Sequence, residues 1–421
     1  MKRYSEYKDS GVKWLGEIPR HWEVRKAKYL WRESFAISEN GSEELLSVSQ
    51  YEGVTPSKGE SRSESLKGYK IVCENDLVIN IMLAWLGGLG VSKCNGIVSP
   101  AYCIYKIIGN SNPRFLHYLY KTPLYLAEFA RHSTGIVPSR WRMYTDDFGQ
   151  VLTILPPKKE QEAIANYLDA ATSKIDEAIG QQQKMIDLLN ERKQIIINNA
   201  VTKGLDSNVP MKDSGVEWIG KIPEHWDTCA LKKKAKIILG KMLSNNPTNK
   251  YKYICAKDVH YGNIDTSELK EMSFTQEERI LYEVKRGDML IVEGGAGAGG
   301  CAIFKEYKKN IYIQNSIMII RGTDNLLNNY ICFFMQSINQ KGYIEFICNK
   351  ATIPHFTKEK VGAVTIPLPP LKEQIEIVDF INKEIVPIDV VIQNCQQQIS
   401  LLQERKQIII NNVVTGKVKV M

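Results

Sequence analysis

Residues 191–199 of the chain read Glu-Arg-Lys-Gln-Ile-Ile-Ile-Asn-Asn, and the same nine residues occur again, without a change, at 404–412. The two copies lie 213 positions apart (404 − 191), and matches continue backwards in that register to a double proline, at 156–157 in the first copy and 369–370 in the second. The chain therefore contains an internal repeat, and each copy is a long segment that begins at a pair of prolines.

Both copies of this segment are predicted to be long helices. Apolar or small side chains recur at steps of three and four residues, with Lys, Glu, Gln and Asp between them, which is typical of a helix that packs along one face. In the first copy the stripe comprises Ile164, Leu168, Ala171, Ile175, Ala178, Met185, Leu189 and Ile196. In the second copy it comprises Ile377, Ile381, Ile388, Val391, Cys395, Leu402 and Ile409.

Two such helices in one chain are predicted to pack on each other as a coiled coil. About 40 helical residues span about 60 Å, so we interpret the pair as a spacer. Two ordinary amphipathic helices in a bundle would show the same periodicity, and both arrangements remain open at this point. Pro387 removes a backbone donor from the second helix, which predicts a break or a helix start there. An antiparallel pair would return the C-terminus to the N-terminal motif described next, in a pseudo-twofold layout.

A second repeated motif precedes each helix. Residues 8–22 read Lys-Asp-Ser-Gly-Val-Lys-Trp-Leu-Gly-Glu-Ile-Pro-Arg-His-Trp, and residues 212–226 repeat this stretch closely. We name it the tryptophan motif. Its Trp, Ile and Pro residues suit the packing of a turn-rich segment against a neighbouring domain or a helix end. His21 and His225 could be metal ligands, but a single histidine beside a tryptophan in each copy is more often structural.

The regions between each tryptophan motif and its helix, 25–155 and 229–368, are predicted to be modules of strands and loops. Both contain a turn that leads into an apolar strand and then a glycine-rich loop, at 75–90 and 287–300. Both end with an apolar strand that runs into the double proline. The shared skeleton predicts the same framework in the two modules.

The modules differ most at 131–142 and 348–356, which are unrelated in sequence. Similar anchors around dissimilar interiors indicate two modules that are held alike but read different things. Basic residues alternate here with aromatic and small polar residues, a combination that can contact the phosphates and base edges of DNA. A solvated charged surface would have the same composition. The candidate DNA-contacting residues are Arg131, Arg140, Trp141 and Arg142 in the first module and Lys350, His355, Lys358 and Lys360 in the second.

The composition is that of an ordinary globular protein with two or three domains, since 421 residues include 43% hydrophobic and 24% charged residues. A net charge of +8 permits a nucleic-acid partner, although a merely slightly basic protein is equally compatible with it. Nine scattered cysteines without zinc-site spacing predict reduced core residues of a cytoplasmic protein. Neither a signal peptide nor a membrane span is expected, because the longest apolar run, 77–91, contains Asn80 and is too short.

The sequence predicts neither a catalytic site nor a cofactor or metal site in this chain. Gly295-x-Gly297-x-x-Gly300 matches the dinucleotide fingerprint, but that fingerprint must open a helix, and the apolar stretch after it is too short for one. The sequence has no Gly-x-x-x-x-Gly-Lys-Ser/Thr loop for ATP and no Asp/Asn-Pro-Pro-aromatic motif of amino-methyltransferases.

The double architecture and three motifs resemble the specificity subunit of type I restriction-modification systems. The motifs are the Ile-Pro-x-His-Trp end of each tryptophan motif, the Pro-Pro-x-x-Glu-Gln start of each helix, and the Leu-x-Glu-Arg-Lys-Gln stretch at 189–194 and 402–407. The resemblance covers essentially the whole chain. It implies an α+β fold in which two mixed α/β target recognition domains are joined by two long helices, paired as an antiparallel coiled coil, with a pseudo-twofold internal repeat. The implied segments are 1–155 (tryptophan motif and target recognition domain 1), 156–204 (conserved helix 1), 205–368 (tryptophan motif and target recognition domain 2) and 369–421 (conserved helix 2).

The resemblance also implies a function. Each module would read one half of a bipartite, asymmetric site in double-stranded DNA, and the helices would set the gap and dock two methyltransferase subunits. Those partners would bind S-adenosylmethionine and methylate adenine, and a restriction subunit would add ATP- and Mg²⁺-dependent translocation and cleavage. Two alternatives from other classes are a self-contained DNA-modifying enzyme and a coiled-coil adaptor whose modules bind protein.

Overall fold

The computed structural model describes the chain except for Met1, 51–52, 58, 60–64, 138–139, 244–249, Ala296, Asp324, 349–354 and Met421. By its contacts the chain forms two compact units, Met1–Gln183 with Gln396–Met421 and Lys184–Cys395. Each unit contains one tryptophan motif, one module and part of each of two long helices. Strands and helices occur together in both units, which confirms the predicted mixture of α and β structure.

The first module is built on a four-stranded antiparallel sheet. The strands of this unit are β1 (Tyr7–Asp9), β2 (Glu17–Pro19), β3 (Glu23–Lys26), β4 (Trp31–Ser34), β5 (Leu46–Ser49), β6 (Gly53–Pro56), β7 (Lys70–Val72), β8 (Leu77–Asn80), β9 (Leu89–Val91), β10 (Gly96–Val98), β11 (Tyr102–Ile107) and β12 (Leu152–Leu155). The sheet has the order β4-β11-β8-β9. All four residues of β8 are buried, as expected for an apolar run without alternation in a central strand. β12 pairs with β3 just before the first long helix.

The helices of this module are α1 (Pro113–Tyr120), α2 (Pro123–Arg131) and α3 (Thr145–Gln150), and the first long helix is α4 (Lys158–Lys203). α1 begins at Asn112, whose side chain accepts hydrogen bonds from the second and third N–H groups of the helix. α2 begins at Thr122 in a similar way, and both helices have proline in the first position, where no N–H is needed. Their buried aromatic side chains pack into the core of the unit.

The second module has a central sheet of the same kind. Its unit contains β13 (Met211–Asp213), β14 (Lys221–Pro223), β15 (Asp227–Ala230), β16 (Ala235–Leu239), β17 (Lys250–Ile254), β18 (Val259–His260), β19 (Asn263–Ile264), β20 (Lys270–Ser273), β21 (Met289–Val292), β22 (Cys301–Ile303), β23 (Ile311–Ile313), β24 (Ile317–Gly322) and β25 (Thr365–Leu368). The helices are α5 (Gln276–Tyr282), α6 (Asn328–Gln340), α7 (Tyr343–Ile347), α8 (Lys358–Ala363) and the second long helix, α9 (Leu371–Val414). The order β16-β24-β21-β22 repeats that of the first sheet, and β15 pairs with β25 as β3 does with β12. A three-stranded sheet, β20-β17-β23, with a parallel pair, distinguishes this module from the first.

Segments of the two long helices run antiparallel within each unit. In the first unit the start of α4 (Ile164, Ala165, Leu168) shares a buried cluster with the end of α9 (Ile410, Val413, Val414). Further along α4, the Asp176 carboxylate accepts from Nζ of Lys406 at 2.7 Å. In the second unit the end of α4 (Ile197, Ala200, Val201) lies with the start of α9 (Ile377, Val378, Ile381), and Lys193 pairs with Asp389.

Isoleucine recurs every eleven residues along both helices. The positions are Ile164, Ile175, Ile186 and Ile197 in α4, and Ile377, Ile388, Ile399 and Ile410 in α9. Seven of them are buried and Ile399 is half-buried. Eleven residues make three turns at about 3.67 residues per turn, so each isoleucine returns to nearly the same side of the helix.

The apolar stripe predicted from steps of three and four residues does not follow this eleven-residue spacing in the middle of each helix. Met185 and Val391 are exposed, and their neighbours Ile186 and Ile392 are buried instead. The large apolar residues in the rest of the predicted stripe differ in how far they are buried. Ile164, Leu168, Ile175, Ile377, Ile381 and Ile388 are buried, whereas Leu189, Ile196, Leu402 and Ile409 are half-buried.

Pro387 does not interrupt the second long helix, so the predicted break is wrong. α9 is continuous over 44 residues and contains this proline in its interior. The side chain of Pro387 is exposed, while Ile385 and Ile388 beside it are buried. An interior proline costs about 3 kcal/mol, and burying two isoleucine side chains offsets a cost of that size.

The chain termini meet in the first unit, as predicted for an antiparallel pair. The N–H of Lys419 donates to the carbonyl oxygen of Lys2 at 2.9 Å, and the Tyr7 hydroxyl donates to the carbonyl oxygen of Gly416 at 3.1 Å. None of the helices in the described part of the chain combines the length and the apolar character that a membrane span requires.

A histidine in α1 is expected to make the first module sensitive to acid. Nδ1 of His117 accepts a hydrogen bond from the N–H of Val91 at 3.1 Å, and burial together with Lys121 and Lys93 lowers the pKa of His117 to about 4. Unfolding restores a pKa of about 6.5, so the unfolded chain binds more protons between these values and the unfolding free energy falls as the pH drops from about 6.5 to 4. The loss is about 3 kcal/mol.

The variant His117→Asn, whose side-chain oxygen can replace Nδ1 as acceptor, lacks this titration. The unfolding free energy of the wild type minus that of H117N should therefore fall by about 3 kcal/mol from pH 7 to pH 4. Urea unfolding of both proteins at each pH measures this difference. Carboxylates titrate in both proteins, so their effect on the unfolding free energy cancels when the two proteins are compared. A difference that stays constant with pH would contradict the prediction.

Candidate nucleic-acid interface

The tryptophan motif and the start of the long helix form one contact cluster, which we name the clamp. In the first unit the Glu160 carboxylate accepts a hydrogen bond from the indole N–H of Trp22 at 3.2 Å and lies 2.7 Å from Nε2 of His21. The hydroxyl of Tyr4 donates to the same carboxylate. Trp22 and Glu160 are buried. A carboxylate in the first turn of a helix is further stabilised by the positive end of the helix dipole.

The second unit repeats this clamp. The Glu373 carboxylate accepts from the indole N–H of Trp226 at 2.8 Å and lies 2.8 Å from Nε2 of His225. Across the described residues, no three His, Cys, Asp or Glu side chains are grouped so that they could hold a metal ion. Both histidines of the tryptophan motifs hydrogen-bond to helix carboxylates, in agreement with the structural interpretation.

The glutamine after each clamp glutamate holds the module. In the first unit the side chain of Gln161 accepts from the N–H of Asn112 at 2.7 Å, and its amide donates to the carbonyl oxygen of Pro156 at 2.8 Å. In the second unit Gln374 accepts from the N–H of Leu327 at 2.9 Å. The Glu-Gln pair therefore binds the tryptophan motif with one side chain and the start of a module helix, α1 or α6, with the other.

Each clamp also receives the end of the other long helix. Gly416 follows α9 in the first unit, and a Cβ placed there would come within 2.5 Å of Pro19 and 3.1 Å of Trp22. Gly204 follows α4 in the second unit, where a Cβ would lie 3.2 Å from Trp226. Both glycines have a positive φ, the conformation that favours glycine after a helix. Each module is thus attached to the start of one long helix and the end of the other.

Two loops of the first module, the turn after β8 and the divergent loop, lie together. N–H groups and carbonyl oxygens of Thr134 and Arg142 pair at 2.9 and 3.0 Å, which closes a hairpin loop at 134–142. The N–H of Met143 donates to the carbonyl oxygen of Ile81, and the rings of Trp85 and Trp141 lie 5.3 Å apart, edge to face. We name residues 81–88 together with 134–137 and 140–142 the first loop pair.

Polar side chains hold the turn after β8 at both of its ends. Nζ of Lys121 donates to the carbonyl oxygens of Gly87 and Gln50 at 2.9 and 2.7 Å. Burial lowers the pKa of Lys121 to about 8. At the other end of the turn, the Asn80 side chain accepts from the N–H of Met82 at 3.0 Å. The turn at 81–88 is therefore held at both ends by polar contacts.

The four candidate residues of the first module occupy different environments. Arg140 and Arg142 are exposed on the hairpin loop, and no described carboxylate pairs with either. Trp141 lies between them and is half-buried against Trp85. Arg131 ends α2 and donates to both oxygens of the buried Glu128 carboxylate at 2.6 and 2.8 Å, which raises its pKa. Arg140 and Arg142 are consequently better placed for an anionic ligand than Arg131.

The second module brings together the corresponding loops. The N–H of Phe356 donates to the carbonyl oxygen of Glu293, and Gly294 pairs with His355. His355 is exposed, Lys358 is exposed at the start of α8, and Nζ of Lys360 donates to the carbonyl oxygen of His355 at 3.1 Å. Lys350 lies outside the described residues. We name residues 293–295 and 297–300 together with 355–360 the second loop pair.

The glycine-rich part of the second loop pair leads into a strand. Gly295, Gly297 and Gly300 are followed directly by β22, whereas the dinucleotide fingerprint requires a helix at this point. The loop packs on α7, since a Cβ on Gly299 would collide with Ile344. The positive φ of Gly295 and Gly299 and the close packing at Gly299 account for these two glycines without a bound nucleotide.

Sequence reasoning misses several residues of the first loop pair. Met82, Leu83, Leu86, Ile136 and Val137 are exposed apolar side chains. The first three belong to the apolar run 77–91, which the sequence predicts to be a buried strand with its following loop. The one available signal is Trp85 among the glycines, and the run gives no indication of which side chains face solvent.

Known proteins are similar to this chain in sequence and in fold. Residues 223–390 match the family model described as the type I restriction modification DNA specificity domain. A putative type I restriction enzyme MjaX specificity subunit of Methanocaldococcus jannaschii is 25% identical over 449 aligned positions, which cover 96% of each chain. The EcoKI specificity subunit of Escherichia coli K12 is 21% identical over 62% of this chain and 57% of its own length.

The fold matches a chain from a solved structure concerned with complex assembly and conformational transition of the type I R-M system. The TM-score is 0.68 at 14% identity, and the match covers 95% of this chain and 99% of the other. Two clamped modules and a match to a DNA specificity domain define a protein that recognises DNA sequence for a restriction-modification system. The chain is similar in sequence and fold to type I restriction-modification specificity subunits, and its residues 223–390 match their DNA specificity domain, in agreement with the resemblance of its motifs.

Proposed function

We propose that this chain is the non-catalytic subunit that selects the target of a type I complex, and that each module reads one half of a bipartite, asymmetric site in double-stranded DNA. One observation carries the proposal: the two clamps use equivalent residues and the two central sheets share a strand order, but the loop pairs differ. A symmetric dimer reads a palindrome, whereas two unlike modules on one chain can read two unlike half-sites.

We further propose that α4 and α9 form an antiparallel coiled coil that sets the gap between the half-sites. The ion pairs Asp176–Lys406 and Lys193–Asp389 support this, because they join equivalent residues of the repeat in reverse order. The isoleucines at every eleventh position, seven of them buried and Ile399 half-buried, would supply an apolar seam for such a pair. In this proposal residues 1–155 and 205–368 carry the target recognition domains, and 156–204 and 369–421 carry the conserved helices.

The chemistry belongs to partners in this proposal. An adenine inside duplex DNA must be flipped out before it is methylated, so a methyltransferase subunit has to sit beside each module. The helices would dock two such subunits, which would bind S-adenosylmethionine. A restriction subunit with ATP and Mg²⁺ would complete a cytoplasmic complex on DNA.

Co-expression with the methyltransferase from the same locus tests the proposal. Mapping of methylated adenines should reveal one asymmetric sequence with two specified parts and a constant unspecified gap, and the chain expressed alone should methylate nothing. Binding of the complex to this DNA should weaken steeply with salt, because phosphate contacts release counterions. A contiguous or palindromic target, or methylation by the chain alone, would contradict the proposal.

A further inference from the structure

An apolar surface on the first loop pair takes no part in the core or in the clamp. Ile136 on the hairpin loop is 96% exposed, and Val137 is 43% exposed. Met82, Leu83 and Leu86 are each 41–42% exposed on the neighbouring turn. Single exposed apolar residues are ordinary, but a group on two adjoining loops marks an interaction site.

Side-chain contacts join the two loops. The indole N–H of Trp85 donates to the carbonyl oxygen of Met82 at 3.1 Å, and the edge-to-face contact with Trp141 joins the turn to the hairpin loop. Lys121 and Asn80 hold the ends of the turn. The exposed apolar side chains of the turn are therefore presented beside the hairpin loop.

Cationic side chains occur on the same loop as Ile136 and Val137. Arg140 and Arg142 lie on the same hairpin loop as Ile136, are exposed, and have no carboxylate partner among the described residues. Apolar groups beside two unpaired guanidinium groups complement a ligand that has apolar groups between negative charges. A DNA groove is such a ligand where thymine methyl groups lie between the phosphates of the two strands.

We propose that the apolar surface of the first loop pair reads thymine through its 5-methyl group in the major groove, with Arg140 and Arg142 on the flanking phosphates. The inference rests on the proposed function and identifies the bases that this module favours. The thymine methyl is the only apolar group on a base-pair edge in the major groove. Other edges present donors and acceptors, which Leu86 or Ile136 would leave without hydrogen bonds.

Replacing thymine by uracil removes this methyl group and nothing else. The complex of the chain with its methyltransferase is titrated with duplexes of the mapped target in which each thymine of the first module's half-site is replaced in turn. At one or more positions the Kd should rise about fourfold for each methyl group that loses its contact. The variants Leu86→Ser and Ile136→Ser should bind the thymine and uracil duplexes equally at the position each side chain contacts.

Two control variants separate a methyl contact from a general loss of affinity. Arg142→Ala should weaken binding to the thymine and uracil duplexes by the same factor, because a phosphate contact does not sense the base. Ile280→Ser, at a site 75% exposed on α5 of the second module, should leave the thymine-to-uracil ratio unchanged.

If the complex binds its target specifically but no thymine-to-uracil replacement changes the Kd, the inference is overturned while the proposed function stands. The inference is also overturned if L86S and I136S keep the wild-type ratio, or if they lose the methyltransferase instead, since the surface would then be a protein contact. If the wild-type complex shows no sequence preference at all, the proposed function fails and this inference fails with it.

Discussion

Exchanging residues 25–155 for the corresponding segment of another specificity subunit will change one half of the methylated sequence and leave the other half and the gap unchanged. The exchange keeps Trp22 and Glu160, so the clamp that holds the module is preserved. The new segment must supply an N–H in place of that of Asn112, because Gln161 binds it. The second unit has its own clamp, so the proposed reading of DNA by its module should not depend on what the first clamp carries.

The measurement is a map of methylated adenines in cells that express the chimera with the methyltransferase. The matched exchange of residues 229–368 serves as control and should change the opposite half. A change in both halves, or in the gap, would show that the modules do not read independently and would remove the basis of the proposed function.

Replacing Trp22 by alanine should lower the unfolding free energy of the first unit by about 3–5 kcal/mol, because it empties a fully buried site. The loss also leaves the buried Glu160 carboxylate without its indole donor. Trp22→Phe fills most of the volume and removes the hydrogen bond, so it should cost about 1–2 kcal/mol. Urea unfolding of the three proteins, followed by circular dichroism, gives the comparison.

Trp226→Ala in the second unit is the matched variant and should cost a similar amount, since its indole N–H bonds Glu373 in the same way. Comparable small losses for Trp22→Ala and Trp22→Phe would show that the tryptophan merely covers the helix ends. A large loss in one unit and none in the other would mean that the two clamps are not equivalent.

The sequence contains start signals for the helices α1 and α2 of the first module, but the strand patterns in the surrounding sequence make these signals easy to miss. Asn112-Pro113 and Thr122-Pro123 combine a capping residue with a proline in the first helical position, which is a start signal for a helix. Strand patterns dominate on either side, so the sequence predicts strands and loops for the whole region. The ion pair between Arg131 and Glu128 follows from the helix once it is known, since residues three apart share a face.

The sequence by itself determined the repeat, the two long helices that begin after double prolines, and the division into shared framework and divergent loops. These features are local, because periodicity, proline positions and repeated letters are properties of neighbouring residues. Only the tertiary structure decided that Trp22 binds Glu160, 138 residues away, and that Trp85 meets Trp141. It also decided which side chains in the middle of the first long helix are buried, since Ile186 is buried and Met185 is exposed. Such contacts depend on how elements that are distant in the sequence pack together. The sequence offers several side chains of the same type for each contact, and only the packing decides which of them meet.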